Sequence, residues 1–404
     1  MPLRPRLSMP LAVCGCALAL LAGCGGADDK NGSAAEGENA SAAPVDWRLF
    51  GRVAARTHYL PAAERFNPPL KRVWSFNTKG LIEFPPAVND GVAYVANKYG
   101  DVTAVDLTTE KVVWDLRRDK RNVGPPSDVT APVYAAGRVF VAYAAGTLAA
   151  LDAATGRVEW KRNLHSRLES SPIVIGGRLY IGDDKTDLIA FDATSGRVLW
   201  RFNAPAPIKA SPSFAGGRIY VGDYRGTMYS LHAVSGRVAW RTDTTRIPPL
   251  GSGGFYSSPA IALGRVFAAR DDGTIFAFDA GTGRRSWSFE TRGDVYGSPA
   301  VAQVPRTPPT VYIGSYDHHL YALNARTGKE EWRFDVGGPV PGTATVIGHT
   351  VYTSSFATGK SVGVDVRSHR RTFSLASPGY TPMISDGRNL YLVGYFTLHA
   401  LRPD

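Results

Sequence analysis

One phrase recurs along this chain and constrains every fold it can adopt. Ala190–Trp200 reads AFDATSGRVLW: an apolar run, a turn rich in Thr, Ser and Gly, then an extended segment closed by Trp. The phrase returns as ALDAATGRVEW at Ala150–Trp160, SLHAVSGRVAW at Ser230–Trp240, AFDAGTGRRSW at Ala277–Trp287 and ALNARTGKEEW at Ala322–Trp332. Looser copies are AVDLTTEKVVW at Ala104–Trp114 and GVDVRSHRRTF at Gly363–Phe373. The closing aromatics Trp74, Trp114, Trp160, Trp200, Trp240, Trp287, Trp332 and Phe373 are separated by 40, 46, 40, 40, 47, 45 and 41 residues. A repeat of about 40–45 residues is the length of one propeller blade, four short strands that bury their faces only when neighbours stack on them.

Each unit carries the punctuation of antiparallel strands. Most open on a Pro-containing start, such as SSPIV at Ser170–Val174, SPSF at Ser211–Phe214, SPAI at Ser258–Ile261 or SPAV at Ser298–Val301. A GGR turn follows at Gly176–Arg178 and Gly216–Arg218, then alternating strands such as LYIGD at Leu179–Asp183. A second turn, YRGT at Tyr224–Thr227 or DDGT at Asp271–Thr274, leads into the repeated phrase. Turn residues between short runs of Val, Ile, Tyr and Phe specify hairpins, and no stretch beyond the N-terminal segment has a helical period. The expected class is all-β.

Full units end at Trp114, Trp160, Trp200, Trp240, Trp287, Trp332 and Phe373. A last unit starts at Thr381 and supplies only three strands, whereas Lys71–Thr78 (KRVWSFNT) ends a repeat that has no beginning. Joining the two removes two open sheet edges. The sequence thus predicts an eight-bladed β-propeller of four-stranded antiparallel blades over residues 71–404, closed by pairing an N-terminal strand with the C-terminal repeat.

The chain begins MPLRPRLSMPLAVCGCALALLAGC, with Arg4 and Arg6 ahead of the apolar run Leu11–Leu21. That run is too short to span a bilayer and reads as a signal peptide over residues 1–23. Leu21-Ala22-Gly23-Cys24 resembles the lipobox of bacterial lipoproteins, which implies lipidation of Cys24 and anchoring to a membrane in the cell envelope. Cys14 and Cys16 would leave with the signal, so the folded part would hold no cysteine. Residues 24–45 are the lipidated Cys and a polar tether of low hydrophobicity. Residues 46–70 read as an irregular arm on the propeller, with Trp47 and Phe50 as anchors.

The formal charge is +11. Removing Arg4 and Arg6, and the tether with Asp28, Asp29, Lys30, Glu36 and Glu38, leaves the folded part near +12. Such a balance suits anionic headgroups, acidic polymers or acidic protein faces. No nucleic-acid motif is present, and nucleic acid is not an expected partner. A monomeric propeller is expected.

The repeated phrase resembles the PQQ-type, or tryptophan-docking, β-propeller pattern A-x-D-x-x-T-G-x-x-x-W, from Lys71 to Asp404. The resemblance implies that Trp74, Trp114, Trp160, Trp200, Trp240, Trp287 and Trp332 are packing elements, each stacked on the Gly of a neighbouring repeat. A buried indole fits that role on its own chemistry, with a large apolar face and an N–H that needs a carbonyl. The PQQ-dependent alcohol dehydrogenases share the repeat and typically use an adjacent Cys-Cys disulfide and an Asp beside calcium. Here the folded part has no cysteine, and no CxxCH haem segment, G-x-S-x-G, H-E-x-x-H or P-loop occurs. His318-His319 sits in a turn slot and reads as a solvated pair, not a metal site. The expectation is no catalytic residue, no metal, no cofactor and no PQQ. The lipobox, length and repeat together resemble the BamB-like family of outer-membrane assembly lipoproteins, which implies a non-catalytic scaffold with an envelope protein partner. A receptor for a small ligand or cell-wall polymer is the second alternative, and a PQQ-dependent dehydrogenase the third.

Loops entering each blade and turns between its second and third strands should share one face. Three residues before the blade-opening Pro, at the channel mouth, stand Glu83, Glu169, Lys209, Tyr256 and Tyr296. With Arg117, Arg118 and Arg121 they form the candidate partner face, tyrosines as anchors and arginines steering an acidic surface.

Overall fold

The computed structural model describes residues 45–61, 66–117, 128–246, 253–377, 379–380 and 383–403. Cys24, the tether, Arg118 and Arg121 lie outside the described residues. Eight sheets, each built on four antiparallel strands, are arranged as an eight-bladed β-propeller, and the described residues include no α-helix.

Blade 3 shows the rule. Its strands Ile173–Ile175, Arg178–Gly182, Asp187–Asp192 and Val198–Asn203 pair in simple succession. The second strand is buried from Leu179 to Gly182, with Arg178 half-buried at its start, because both faces of a blade pack on neighbours. The outermost strand carries the docking Trp after a one-residue register shift opposite Ala190 and Phe191. The Asp of the phrase folds the turn before that strand. Asp192 Oδ1 accepts from the Ser195 N–H at 2.8 Å and the Ser195 hydroxyl at 2.7 Å. Asp152 with Thr155, Asp279 with Thr282 and Asp365 with Ser368 repeat it. These donors hold the Asp192 carboxyl below its ordinary range.

The last blade is built from both ends of the domain. Leu70–Asn77 pairs antiparallel with Thr397–Pro403, from Leu70 against Pro403 to Asn77 against Thr397, and Met383–Ser385 and Leu390–Val393 complete the sheet.

The two ends of the propeller are defined by backbone hydrogen bonds. Turns between first and second strands bond turns between third and fourth: Ala153 to Gly137, Ala193 to Gly177, Ala233 to Gly217 and Ala280 to Gly264, donor first. At the opposite end, turns between second and third strands bond the loops that enter blades: Asp184 to Arg167, Tyr224 to Pro207, Asp271 to Gly254 and Tyr316 to Asp294.

The arm does more than lie on the ring. Trp47 forms an antiparallel bridge with Val88, and Tyr134, Phe214, Ile261, Val301 and Val346 each donate a backbone N–H to Arg48, Ala54, Ala55, Thr57 and His58 in turn. Tyr59–Leu60 then adds a parallel strand to the inner edge of blade 7. Arg56, fully buried, donates to Phe50 O at 2.6 Å, Pro212 O at 2.8 Å, and Ser171 O and Pro172 O at 3.2 Å. With Val45 bonded to Asp386 O of blade 8, the arm touches all eight blades and closes the channel at the first turn end. Burial lowers the Arg56 guanidinium to about 9.

Candidate functional site

The channel is blind at the arm and open at the other end. The mouth is a cavity of about 350 Å³ with Phe50 of the arm among its lining residues. Glu83, Glu169, Lys209, Tyr256 and Tyr296 all line it, joined by Phe84, Tyr224, Tyr316 and Tyr380. The blade-opening Pro fixes why: it ends the incoming loop at one height in the blades that carry it, so residues at one offset converge on the axis.

The Ser or Thr just before that point forms a hydrogen-bonded belt. The N–H of Ser171 donates to Ser211 Oγ at 2.9 Å, that of Ser258 to Ser298 Oγ at 3.0 Å, and that of Ser298 to Thr343 Oγ1 at 2.8 Å. Ser211, Ser258, Ser298 and Thr343 also line the mouth. The recurrence of Ser before Pro at Ser211, Ser258 and Ser298 was visible in the repeats; their convergence with Thr343 was not, because it is a property of the ring.

The wall has two sectors. One is aromatic: Tyr224, Tyr256, Tyr296 and Tyr316 follow each other edge to face, with centroids 6.5, 5.8 and 5.3 Å apart. Burial, then the charges of Glu169 and Glu83, push the Tyr256 phenol up. Burial and Asp271 push Tyr224 up to about 12. These phenols are therefore O–H donors at neutral pH. The other sector is charged and internally paired. Glu169 accepts from Arg167 at 2.6 Å and meets Lys209 at 3.5 Å, while Lys98 stands 3.1 Å from Glu83 and 3.9 Å from Asp128. Burial opposes the Lys98 charge, but Glu83 and Asp128 together raise it. The Lys209 ammonium also lies 4.9 Å over the Tyr224 ring.

Arg117 is not at the mouth. It ends the outer strand of blade 1, paired with Asp101 at 3.0 Å and Asp115 at 2.7 Å.

The tryptophans sit between blades. Trp114, Trp160, Trp200, Trp240 and Trp287 donate to the carbonyls of Ala153, Ala193, Ala233, Ala280 and Ala325 at 2.8–3.1 Å. Each lies on a glycine of the next blade: a Cβ on Gly196, whose φ is +66°, would come within 2.8 Å of Trp160. Trp332 instead stacks on His369 at 4.9 Å, and Trp74 packs edge-on against Tyr391 at 6.2 Å.

The fit of a PQQ-type cofactor divides. A flat conjugated carboxylate matches ring faces, hydroxyl donors and one ammonium. A divalent metal does not match, because among the described residues no three His, Cys, Asp or Glu are grouped to hold one. Glu83 and Glu169 are each already in ion pairs.

Comparison with known proteins places this geometry. A family model described as outer membrane protein assembly factor BamB matches residues 64–188, 126–211 and 184–403. The 1-butanol dehydrogenase (cytochrome c) of Thauera butanivorans is 34% identical over 132 residues, 30% of this chain and 19% of that protein. The chain thus spans about a fifth of the length of the curated relatives it matches. Quinohemoprotein alcohol dehydrogenase from Comamonas testosteroni superposes with TM-score 0.74 at 17% identity, covering 89% of this chain and 80% of that one. BamB from Moraxella catarrhalis superposes with TM-score 0.68 at 18% identity, covering 82% and 99%. At such identities the structural likeness concerns the fold alone.

Three expectations from the sequence are corrected by these relatives: the non-catalytic scaffold, the absence of enzymatic activity and the absence of a cofactor. The missing cysteines argued against one known way of building a quinone pocket. They do not bear on what an aromatic-walled channel mouth can hold. The repeat and the ring are those of a PQQ-like propeller of the cell envelope, and the chain belongs to the family described as outer membrane protein assembly factor BamB.

Proposed function

We propose that the mouth binds a planar, carboxylated ring of the quinone class, and that alcohol oxidation through such a ring is the activity of this propeller. The observation that carries the proposal is a blind cavity walled by four edge-to-face tyrosines, belted with hydroxyls and holding the Lys209 ammonium. The quinone-alcohol-dehydrogenase relatives support it. When bound, such a ring supplies a two-electron acceptor. Tyr256 and Tyr296 would cover its face, the hydroxyls of Ser211, Ser258, Ser298 and Thr343 would meet its oxygens, and Lys209 would meet a carboxylate. Glu83 and Glu169 are the carboxylates at hand to receive a substrate proton, and the arm shuts out water from the far end. The export that the envelope family implies would be completed by lipid on Cys24.

The test is titration with PQQ, with and without added Ca²⁺, following quenching of protein emission. Saturable binding weakened at least tenfold by Lys209→Ala and by Tyr296→Ala, together with dye reduction on addition of 1-butanol, is expected. No saturable binding, or binding unchanged in both variants, overturns the proposal. For the anchor, Cys24→Ser should release the protein from membranes at high salt.

A further inference from the structure

The two ends of the propeller carry their charge differently. At the mouth, the cations of the wall are paired with acids: Lys98 with Glu83, and Arg167 and Lys209 with Glu169. At the arm end, the repeat writes an arginine into the turn of the phrase in successive blades, giving Arg157, Arg197, Arg237 and Arg284, all exposed. The carboxylates nearest them, Asp152, Asp192 and Asp279, are folded back onto their own turns. Arg178, Arg218 and Arg265 at the turns between first and second strands add further cations to the same end, which makes it a cationic rim.

The rim deepens between blades 5 and 6. A cleft of about 650 Å³ there is lined by Arg265, Arg284, Arg285 and Arg326, with Asp279 as the single carboxylate among its lining residues. Arg265 donates to Ala325 O at 3.3 Å, which fixes one guanidinium at the wall. Four guanidiniums around one concave space suit ester phosphates, which they can bind in forked pairs.

A second, independent observation concerns the same end. The N–H of Val45 donates to Asp386 O at 2.7 Å, and Asp386 lies in the turn between first and second strands of blade 8. The described chain therefore begins at the cationic end.

We infer that the arm end is a docking surface for an anionic phospholipid bilayer, with the cleft between blades 5 and 6 taking headgroup phosphate, so that the mouth faces away from the membrane. The attraction is electrostatic and short-ranged, screened within about 10 Å at 0.1 M salt. It acts through the blades and does not need the lipid on Cys24.

The full chain with Cys24→Ser provides the test. The quantity read is the ratio of its partition onto vesicles containing anionic phosphatidylglycerol to its partition onto neutral phosphatidylcholine vesicles, in which any contribution of the apolar leader cancels. A ratio well above one that falls with salt is expected. Arg284→Glu with Arg326→Glu should lower it on the order of tenfold. Arg197→Glu with Arg237→Glu, away from the cleft, should lower it less. Arg225→Glu with Arg241→Glu, outside the arm-end turns, should leave it within about twofold, given short-range screening. A ratio near one, equal losses from the Arg284/Arg326 and Arg225/Arg241 pairs, or no loss from the first overturns the inference. So does full competition by millimolar inorganic phosphate, which would make the cleft a site for free phosphate. Unchanged melting temperatures show that each variant is folded.

Discussion

Five of the eight blade junctions are copies of one another, and three are not. From blade 1 to blade 6 each junction is a Trp laid on a glycine, its N–H on an Ala carbonyl. Around the closure the parts change. His369 replaces the glycine under Trp332, Phe373 replaces the next Trp, and Glu110, with φ 62°, stands where the last glycine would be. There the ring is held by pairing Leu70–Asn77 with Thr397–Pro403 and by the arm. Copied junctions are redundant, because each is backed by identical neighbours. The closure has no understudy.

That contrast can be broken most severely by removing residues 379–404. The loss strands Leu70–Asn77 without its sheet and uncovers the apolar faces of blades 1 and 7, so the cooperative melting transition should vanish. A truncated chain melting near the full-length temperature would show that the closure is dispensable. Next in size is Arg56→Ala, which removes the donor from four buried carbonyls shared by the arm and blades 3 and 4. A loss of about 3–4 kcal/mol in denaturant unfolding is expected.

The copied junction is sharpened by two glycines of equal backbone strain. Gly196→Ala meets both a positive φ and the Trp160 ring, whereas Gly176→Ala, at φ +56°, meets nothing within 4 Å. The first should cost about 2–3 kcal/mol and the second about 1 kcal/mol. Equal costs would mean that the ring contact contributes nothing.

A pH series probes the arm. His58 is fully buried, and burial followed by the Arg56 charge lowers it to about 3, against an ordinary 6.5. The unfolded chain therefore takes up the proton first as pH falls. Stability from this group is complete above pH 6.5 and is lost progressively below it, by about 2 kcal/mol at pH 5. His58→Phe should flatten that part of the melting-temperature profile; an unchanged profile would assign the acid loss elsewhere. The smallest effect is expected of His369→Gly, which relieves a positive φ but removes the ring under Trp332, so the melting temperature should move by no more than a few degrees.

The sequence displayed most of the fold because a propeller is written locally. Asp192, Ser195, Gly196 and Trp200 lie within one phrase, and their contacts are satisfied within a blade or its neighbour. The partner strands of the last blade were legible because one repeat lacked an end and another a beginning. The arm with its anchors Trp47 and Phe50 could be read, but not its path, since Arg56 and His58 belong to no repeat and find partners as far as Pro212, through the Arg56 guanidinium, and Val346, through the His58 carbonyl. At the mouth, Glu169, Lys209, Tyr256 and Tyr296 were found by their fixed offset from Pro. Tyr224 and Tyr316 were missed, because nothing in a single repeat tells how far a turn leans over the axis, and Tyr380 because it stands off the offset shared by the other entry loops. The chemistry was misjudged for a different reason: an absent disulfide says nothing of what tyrosines and a lysine can hold.

The arm has a consequence in time. Trp47–Leu60 precedes in the chain every blade that it joins, so whichever way the polypeptide is delivered N-terminus first, this segment arrives with none of its partners. Blade 8 likewise starts with the first strand delivered and finishes with the last. The intermediate blades can stack as they emerge, but the ring stays an open coil until the final residues are through. Folding of this protein is thus gated by completion of the chain, and a chain halted before residue 397 would present both the arm and an unpaired strand.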